Sequence, residues 1–339
     1  MRTAPDLTRT AVLTGATSGI GPWIGRTAVL TGATSGIGPW IGRTAVLTGA
    51  TSGIGPWIGR TAVLTGATSG IGRWIALGLA QAGLNLVIIA RDPARAQATT
   101  AWIQAEIPAA TIDTVIADLA SIAQTTEAAR QIAAAHPEIA LLVNNAGLFR
   151  ARRAITEEGR DRVLAVNHLA PAILMRELTP ALIAAALIDG SPSRIVTVGS
   201  STSDRARLNP NDLELTRGWT MVRAYGRSKL ATMIQTFETA RRLAPNSVVA
   251  NVVHPGAVAT SLVRTPGLIG LAWRLMRPFL RTEQQGADTP LHVALDTSFA
   301  TTTGAYVKDR RPVPPNPTAL DPALAARIWT LTEALTKPS

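Results

Sequence analysis

The residues of this sequence best suited to acid–base chemistry are a tyrosine and a lysine, Tyr225 and Lys229. Residues four apart lie on one face of a helix, so the lysine ammonium would stand beside the phenol. The pKa of a free tyrosine, about 10, is too high for efficient proton transfer at neutral pH. A nearby positive charge lowers such a pKa, which predicts that Tyr225 exchanges a proton with a substrate oxygen. Taken alone, the same spacing also fits an ordinary surface helix.

Serine residues lie 25 or fewer positions before this tyrosine. Ser200 ends a predicted strand, and its hydroxyl could hydrogen-bond the same substrate oxygen, while Ser201 and Ser203 are local rivals. Asn167 lies within a long predicted helix, where an ordinary interior asparagine is the alternative to a catalytic one.

Alternating strands and helices must position these side chains. Strand-like runs lie at 62–65, 84–90, 111–117, 140–144, 194–198 and 248–254, and helix-like runs at 73–82, 122–135, 155–186, 225–243 and 321–336. This alternation predicts an α/β fold, a single domain with a doubly wound parallel sheet of the Rossmann type.

A glycine-rich loop joins the first of these strands to the first helix. It reads Thr65-Gly-Ala-Thr-Ser-Gly-Ile-Gly72, and Ile71, Ile75 and Leu79 then recur on one helix face. Glycines let a backbone pass close to a pyrophosphate, and the helix N-terminus favours its charge. The loop therefore predicts one dinucleotide site.

A 17-residue unit, RTAVLTGATSGIGPWIG, occurs without change at residues 9–25, 26–42 and 43–59, and a fourth copy begins at Arg60 and diverges at Arg73. Only five residues separate each early loop from the next strand-like run, too few for a parallel crossover helix. The period is also shorter than known solenoid repeats. We therefore expect residues 1–59 to be an extension that is not an independent domain, and residues 60–339 to form the nucleotide-binding domain. Aggregation of the identical copies is a further alternative.

The motifs TGxxxGxG, NNAG, a serine, YxxxK and PG occur in this order from Arg60 onward, and together they resemble the short-chain dehydrogenase/reductase family. The stretches RAYGRSKL, HPGAVAT and the tail GAYVKDRRPVPPNPTALDPALAARIW are similar to its retinol-dehydrogenase-like branch. The resemblance implies hydride transfer between an alcohol and a ketone or aldehyde. A catalytically silent, NADP-binding redox sensor that acts through a partner is the alternative.

The resemblance also assigns roles. It implies that Ser200, rather than Ser201 or Ser203, acts with Tyr225, Lys229 and Asn167 in catalysis. The implied cofactor-binding residues are Gly66, Thr68, Ser69, Gly70, Ile71, Gly72, Arg91, Asp118, Leu119, Asn145, Ala146, Gly147, Tyr225, Lys229, Pro255, Gly256, Val258 and Thr260. Asp118 as a solvated strand-end acid is the alternative to a place near the adenine.

The cofactor choice rests on the end of the second strand. NAD-binding units usually place an acid there, whereas this chain has Arg91, which favours the 2′-phosphate of NADP by charge and geometry. Asp92 follows and weakens the case, so NAD is the less favoured alternative.

Composition and charge narrow the classes of function. The net charge of +11 suits an enzyme with an anionic cofactor, and scattered arginines without aromatic clusters argue against nucleic acid. There is no cysteine, and His168, His254 and His292 lack the spacing of a metal site, so we expect no metal. With no membrane span and no secretory signal predicted, we expect a cytoplasmic protein.

Residues 266–280 combine apolar side chains with arginines. The resemblance places a mobile substrate lid here, which implies an apolar substrate. A membrane-surface helix is the alternative, with a peripheral membrane contact. The family is often oligomeric, so a homo-oligomer is also expected.

Overall fold

Seven short strands lie in the three N-terminal repeats. They are β1 (Thr10–Thr14), β2 (Thr17–Ser18), β3 (Trp23–Ile24), β4 (Thr27–Thr31), β5 (Thr34–Ser35), β6 (Trp40–Ile41) and β7 (Thr44–Thr48). The computed structural model describes the backbone of these strands and residues 57–258 and 280–337. Contacts divide the chain into two units, Met1–Ile58 and Gly59–Ser339.

Equivalent strands of successive repeats pair in parallel. Thr10 lies opposite Thr27, and Thr27 opposite Thr44, so identical residues face each other. β2 pairs with β5 and β3 with β6 in the same way. These pairings concern the short strands alone, and the expectation that the repeats form no folded array stays a prediction.

The glycine loops of the three repeats, at Gly15, Gly32 and Gly49, lie outside the described residues. That these copies bind no nucleotide, and that residues 1–59 are not an independent domain, stay predictions.

An eight-stranded sheet forms the centre of the second unit. Its strands are β8 (Thr61–Thr65), β9 (Asn85–Ala90), β10 (Ile112–Ile116), β11 (Leu141–Asn144), β12 (Ser193–Val198), β13 (Val248–His254), β14 (Tyr306–Lys308) and β15 (Arg311–Val313). They lie in the order β10-β9-β8-β11-β12-β13-β14-β15, and all neighbours are parallel except β14 and β15. The order reverses between β8 and β11, which opens a crevice at their carboxyl ends.

Helices cover both faces of this sheet. They are α1 (Gly70–Gln81), α2 (Pro93–Glu106), α3 (Ile122–Ala135), α4 (Arg162–Leu164), α5 (Ala170–Asp189), α6 (Met221–Leu243), α7 (Glu283–Leu295) and α8 (Pro322–Leu335). Side chains of α3, α5 and α6 share one buried cluster with the strands. On the other face α1 packs on α7, where Gly78 leaves room for Leu291.

The predicted α/β fold with a doubly wound parallel sheet is confirmed. The sequence missed α2, α7 and the β14–β15 pair, and it began the long helix at residue 155, whereas the structure begins it at Arg162. α2 has no apolar stripe, because only Ala96, Thr99 and Ile103 are buried along it. β14 and β15 have three residues each, too few to show a period.

One helical stretch among the described residues, Arg162–Ile188, is long and apolar enough to cross a membrane by length and composition. The expectation of no membrane span rests on the absence of a run of about 18 uncharged apolar residues. More than half of its apolar window is buried inside the protein. Leu174, Leu178 and Leu182 belong to the core shared with α3, which is the behaviour of a core helix.

Candidate active site

The glycine loop after β8 is packed against the start of the loop after β11. Gly66 has a φ of +71°, and a Cβ placed there would lie 2.8 Å from Asn145 Nδ2. A Cβ on Gly72 would lie 2.0 Å from the carbonyl oxygen of Gly66. Side chains at either position would therefore force the loop apart. The close packing brings backbone N–H groups to the start of α1, where an anion would bind.

Thr65 and Asn145 fasten these two loops together. The Thr65 hydroxyl accepts hydrogen bonds from the backbone N–H groups of Asn145 and Ala146, both at 3.0 Å. The Asn145 amide donates to the carbonyl oxygens of Thr65 and Gly66, at 3.0 and 3.2 Å. The side chain of Asn145 is thus committed to the protein, and Gly147 is left as the open surface beside it.

Ser69 and Ile71 flank the loop's second glycine, Gly70. Ser69 stands at the N-cap of α1, yet its side chain makes no capping hydrogen bond, which leaves it exposed at the mouth of the loop with Thr68 half-buried beside it. Ile71 faces inward toward Gly286 of α7. The predicted loop residues are therefore gathered at one helix N-terminus.

Tyr225 lies near the start of α6 with its ring almost buried, at 8% exposure. Its ring stands edge-on to Phe149, with 5.0 Å between ring centroids. Burial raises the pKa of Tyr225 to about 12, although a hydrogen bond with the Ser200 side chain acts in the opposite direction. Of these two effects burial is the larger. The expectation that nearby positive charge lowers this pKa stays a prediction.

Ser200 follows β12 and faces this tyrosine. Its side chain accepts hydrogen bonds from the backbone N–H and the hydroxyl of Thr202, at 3.3 and 3.0 Å, as the N-cap of a short 3₁₀ turn. Ser201 is exposed, and the buried Ser203 hydroxyl donates to the carbonyl oxygen of Ser200. Of the three serines considered from the sequence, Ser200 is the one whose side chain lowers the pKa of Tyr225 through a hydrogen bond, against the larger effect of burial.

Lys229 lies one turn further along α6 and is 3% exposed. Its Nζ donates a hydrogen bond of 2.7 Å to the carbonyl oxygen of Val198, at the end of β12. It stands 6.0 Å from the Tyr225 ring centroid. Burial lowers the pKa of this ammonium to about 8. A Cβ on Gly147 would lie 3.7 Å from Nζ, so the open surface at Gly147 adjoins the charge.

Asn167 sits in one π-helical turn, Ala165–Leu169, between α4 and α5. Its amide oxygen accepts from the Leu148 N–H at 2.6 Å, and its Nδ2 donates to the Leu148 carbonyl and to the Ser228 hydroxyl, both at 3.0 Å. Single π-turns inside helices are frequent at functional sites. Here the wider turn faces an asparagine toward the loop after β11 and toward α6.

The remaining predicted cofactor residues lie along the same edge of the sheet. Arg91 is exposed directly after β9. Its neighbour Asp92 caps α2, because its side chain accepts hydrogen bonds from the backbone N–H groups of Ala94 and Arg95. Asp118 forms an ion pair of 2.6 Å with Arg162, and Leu119 packs against the core.

Pro255, Gly256 and Val258 follow β13. Gly256 has a φ of +88°, a Cβ there would meet the side chain of Arg281, and Val258 is buried. Thr260 and all but the last residue of the predicted lid, 266–280, lie outside the described residues.

Sequence reasoning missed two residues near this site, Phe149 and Arg162. Phe149 walls the Tyr225 ring, and its position directly after the NNAG motif was the available signal. Arg162 donates a hydrogen bond to the Asp118 carboxylate, and because the two residues are far apart in the chain, no local pattern reveals this contact. No cluster of His, Asp and Glu able to hold a metal occurs in the part of the chain that the structure describes.

Comparison with known proteins gives a consistent result. The chain matches the family model described as short chain dehydrogenase over residues 60–266. It is 32% identical to retinol dehydrogenase 12 of Bos taurus, over 75% of this chain and 78% of that protein. It is 35% identical to polyprenol dehydrogenase of Mus musculus, over 74% of this chain and 76% of that protein.

A solved structure is similar throughout most of its length. It is a short chain dehydrogenase from Burkholderia cenocepacia J2315 in complex with NADP, with a TM-score of 0.59 and 28% identity. The match covers 74% of this chain and 96% of that one.

The close packing at Gly72 generates a direct test. A Gly72→Ala substitution should weaken NADPH binding by about tenfold or more, a loss of about 1.4 kcal/mol or more, because its methyl group displaces the Gly66 carbonyl. Fluorescence titration with NADPH measures the affinity. The control is Gln81→Ala, an exposed position of the same helix, which should bind as the wild type does. Equal affinity of both variants, each folded by circular dichroism, would contradict the placement of the site.

Proposed function

Because the chain belongs to the short-chain dehydrogenase family, in its retinol-dehydrogenase-like branch, we propose that it is an NADP(H)-dependent oxidoreductase that interconverts an apolar alcohol and its ketone or aldehyde. The observation that carries the proposal is the convergence of four side chains. Tyr225, Ser200, Lys229 and Asn167 meet at the carboxyl edge of the sheet, beside the glycine loop.

Tyr225 supplies the proton for the substrate oxygen. With its pKa raised to about 12 by burial, the phenol keeps its proton at physiological pH. In the reductive direction the substrate carbonyl oxygen gains negative charge and needs a proton, which a protonated phenol can donate. The reverse direction needs the phenolate, which the charge of Lys229 would favour as the proton leaves.

Ser200 holds the same oxygen through a second hydrogen bond. Its side chain lowers the pKa of Tyr225 through a hydrogen bond, so an oxygen bound at the phenol would lie within reach of both hydroxyls. A donor fixed before the reaction stabilises developing negative charge without reorganisation. The Phe149 ring stands edge-on to Tyr225 and would shield that side of a bound substrate from water.

The dinucleotide fits the surface formed by the glycine loop, Gly147 and Lys229. The close packing at Gly66 and Gly72 would let the backbone approach a pyrophosphate, and Lys229, beside Gly147, would hold a ribose hydroxyl. When bound, the nicotinamide supplies the hydride that the substrate carbon accepts. Asn167 and Leu148 form the wall next to that position.

NADP is favoured over NAD by Arg91. This exposed guanidinium follows β9 at the edge where the adenosine ribose would lie, and Asp92 is engaged in capping α2. The solved relative from Burkholderia cenocepacia is an NADP complex, which agrees with this choice.

An apolar substrate is favoured by the relatives. One is named for retinol and one for polyprenol, both long apolar alcohols. The cytoplasmic localisation, the peripheral membrane contact and the homo-oligomer stay predictions.

Substitutions of the proton donor and its partner test the proposal. Tyr225→Phe should lower kcat for NADPH-dependent reduction of an apolar aldehyde by about a thousandfold. Ser200→Ala should lower it by about a hundredfold. Ser201→Ala, the exposed neighbour, should retain wild-type kcat. NADPH affinity should stay unchanged in Ser200→Ala and Ser201→Ala, because neither removes a group that holds the dinucleotide, whereas Tyr225→Phe removes a hydroxyl that is predicted to contact it.

A panel of aldehydes, steroids and aliphatic ketones provides the substrates. If the wild type binds NADPH but turns over none of them, the enzyme assignment fails and the sensor alternative gains support. If Ser201→Ala is as impaired as Ser200→Ala, the assigned serine is wrong.

The buried lysine predicts a pH dependence. Since burial lowers the pKa of Lys229 to about 8, its charge is lost as the pH rises through that value. The kcat/KM for carbonyl reduction should therefore fall on the alkaline side, with a limb centred near pH 8. A pH–rate profile measures this, and Lys229→Met should lack the limb. A profile that stays flat to pH 10 would contradict the assignment.

The choice of NADP has its own test. Arg91→Ala should weaken NADPH binding by about tenfold, since one charged contact to the 2′-phosphate is lost, and leave NADH binding unchanged. Arg130→Ala, an exposed arginine on α3, is the control. If Arg91→Ala weakens NADH and NADPH equally, the residue does not select the phosphate.

A further inference from the structure

The turn that begins at Ser200 is closed by short hydrogen bonds of its own. The Ser203 N–H and hydroxyl both donate to the carbonyl oxygen of Ser200, at 3.0 and 2.6 Å. Asp204 ends the turn, and its N–H donates to the carbonyl oxygen of Ser201 at 3.1 Å. A turn this small moves as a unit, so whatever fixes Asp204 also fixes Ser200.

Asp204 is held by two side chains of β14. Tyr306 and Lys308 are two residues apart on this strand and therefore point to the same face. The Tyr306 hydroxyl donates to Asp204 Oδ1 at 3.0 Å, and Lys308 Nζ contacts Oδ2 at 2.6 Å. Tyr306 is 2% exposed, so its hydroxyl hydrogen-bonds this carboxylate in place of water. Both oxygens of Asp204 are thus occupied from one strand.

A third residue of the same C-terminal segment, Asn316, hydrogen-bonds the backbone of this turn. Asn316 Nδ2 donates to the carbonyl oxygens of Ser203 and Ala206, at 2.8 and 3.0 Å. Asn316 is buried. Asp204 therefore lies between two backbone positions that are fixed by the part of the chain after β13.

The strand that holds Asp204 also adjoins the opposite wall of the site. Lys308 pairs in register with His254 on β13, and Pro255 and Gly256 follow His254 directly. The loop after β13 and the turn after β12 are thus tied to one short strand. This arrangement sets the distance between the substrate side and the predicted cofactor side.

We propose that Asp204 is a positioning residue that, by joining the turn after Ser200 to Tyr306 and Lys308, keeps the Ser200 hydroxyl at the Tyr225 phenol. The consequence for catalysis rests on the proposed function. The structural consequence, the Ser200–Tyr225 hydrogen bond, does not.

The composition of the chain allows this bond to be observed directly. The protein has two tyrosines, Tyr225 and Tyr306. Incorporation of ¹³C-tyrosine therefore gives two NMR signals, which Tyr225→Phe and Tyr306→Phe assign. The Tyr225 signal reports the hydrogen bond from Ser200 without substrate or cofactor.

The experiment compares Asp204→Asn, Ser200→Ala and the double variant in the full chain. Ser200→Ala should move the Tyr225 signal, Asp204→Asn should move it in the same direction, and the double variant should match Ser200→Ala alone. Tyr306→Phe removes one of the two hydrogen bonds to Asp204 and leaves Lys308 in place, so it should give a smaller move. Asp288→Asn, whose carboxylate pairs with Arg310 after the same strand, is the control and should leave the signal in place.

Two results would overturn the inference. One is a Tyr225 signal at the wild-type position in both Asp204→Asn and Tyr306→Phe. The other is an effect of Asp204→Asn that adds to that of Ser200→Ala, since a general loss of stability would add.

Kinetics form the second arm. Asp204→Asn should lower kcat by about ten- to hundredfold with NADPH affinity unchanged, as expected for a misplaced catalytic group. It should have no further effect in the Ser200→Ala background. Absence of any turnover by the wild type would count against the proposed function, while the NMR arm would still decide the role of Asp204.

Discussion

A lysine ammonium buried at the carboxyl end of the sheet constrains the whole site. Removing a charge from water is expensive unless hydrogen bonds replace the solvent. For Lys229 the carbonyl of Val198 supplies one of them, so α6 must press against the end of β12. Tyr225 lies one turn earlier on the same helix face. The contact therefore brings it to the end of β12, next to the turn that begins at Ser200. Gly147 lies beside the ammonium, where an added Cβ would stand 3.7 Å from Nζ.

The sheet's order of strands supplies the other half of the site. β8 and β11 are neighbours at the point where the order reverses, so the glycine loop after one meets the NNAG segment after the other. The hydroxyl of Thr65 and the amide of Asn145 then lock the two loops. Two residues that the resemblance gives to the cofactor thus serve the protein itself: Asn145 holds the glycine loop, and Asp118 holds Arg162.

The sequence predicted the parts of this arrangement that local pattern encodes. Apolar runs located six strands of the sheet, β8 to β13, and the four-residue spacing placed Tyr225 and Lys229 on one helix face. Prediction from the sequence failed where contacts between distant parts of the chain determine the structure. The burial that raises the pKa of Tyr225 depends on Phe149 and neighbouring chain, which spacing does not reveal. β14 is three residues long, yet Tyr306 and Lys308 tie it to Asp204, about a hundred positions earlier.

The central claim is that one site, at the end of this sheet, passes hydride between NADP and an apolar alcohol or carbonyl. The most direct measurement incubates the protein with a ketone or aldehyde and with NADPH in which both hydrogens at the hydride-donating nicotinamide carbon are replaced by deuterium. Mass spectrometry then follows the label. The account predicts one deuterium in each alcohol molecule formed, with an equal amount of NADP⁺ produced. An unlabelled alcohol, or NADPH that binds and is never consumed with any carbonyl in the panel, would contradict it.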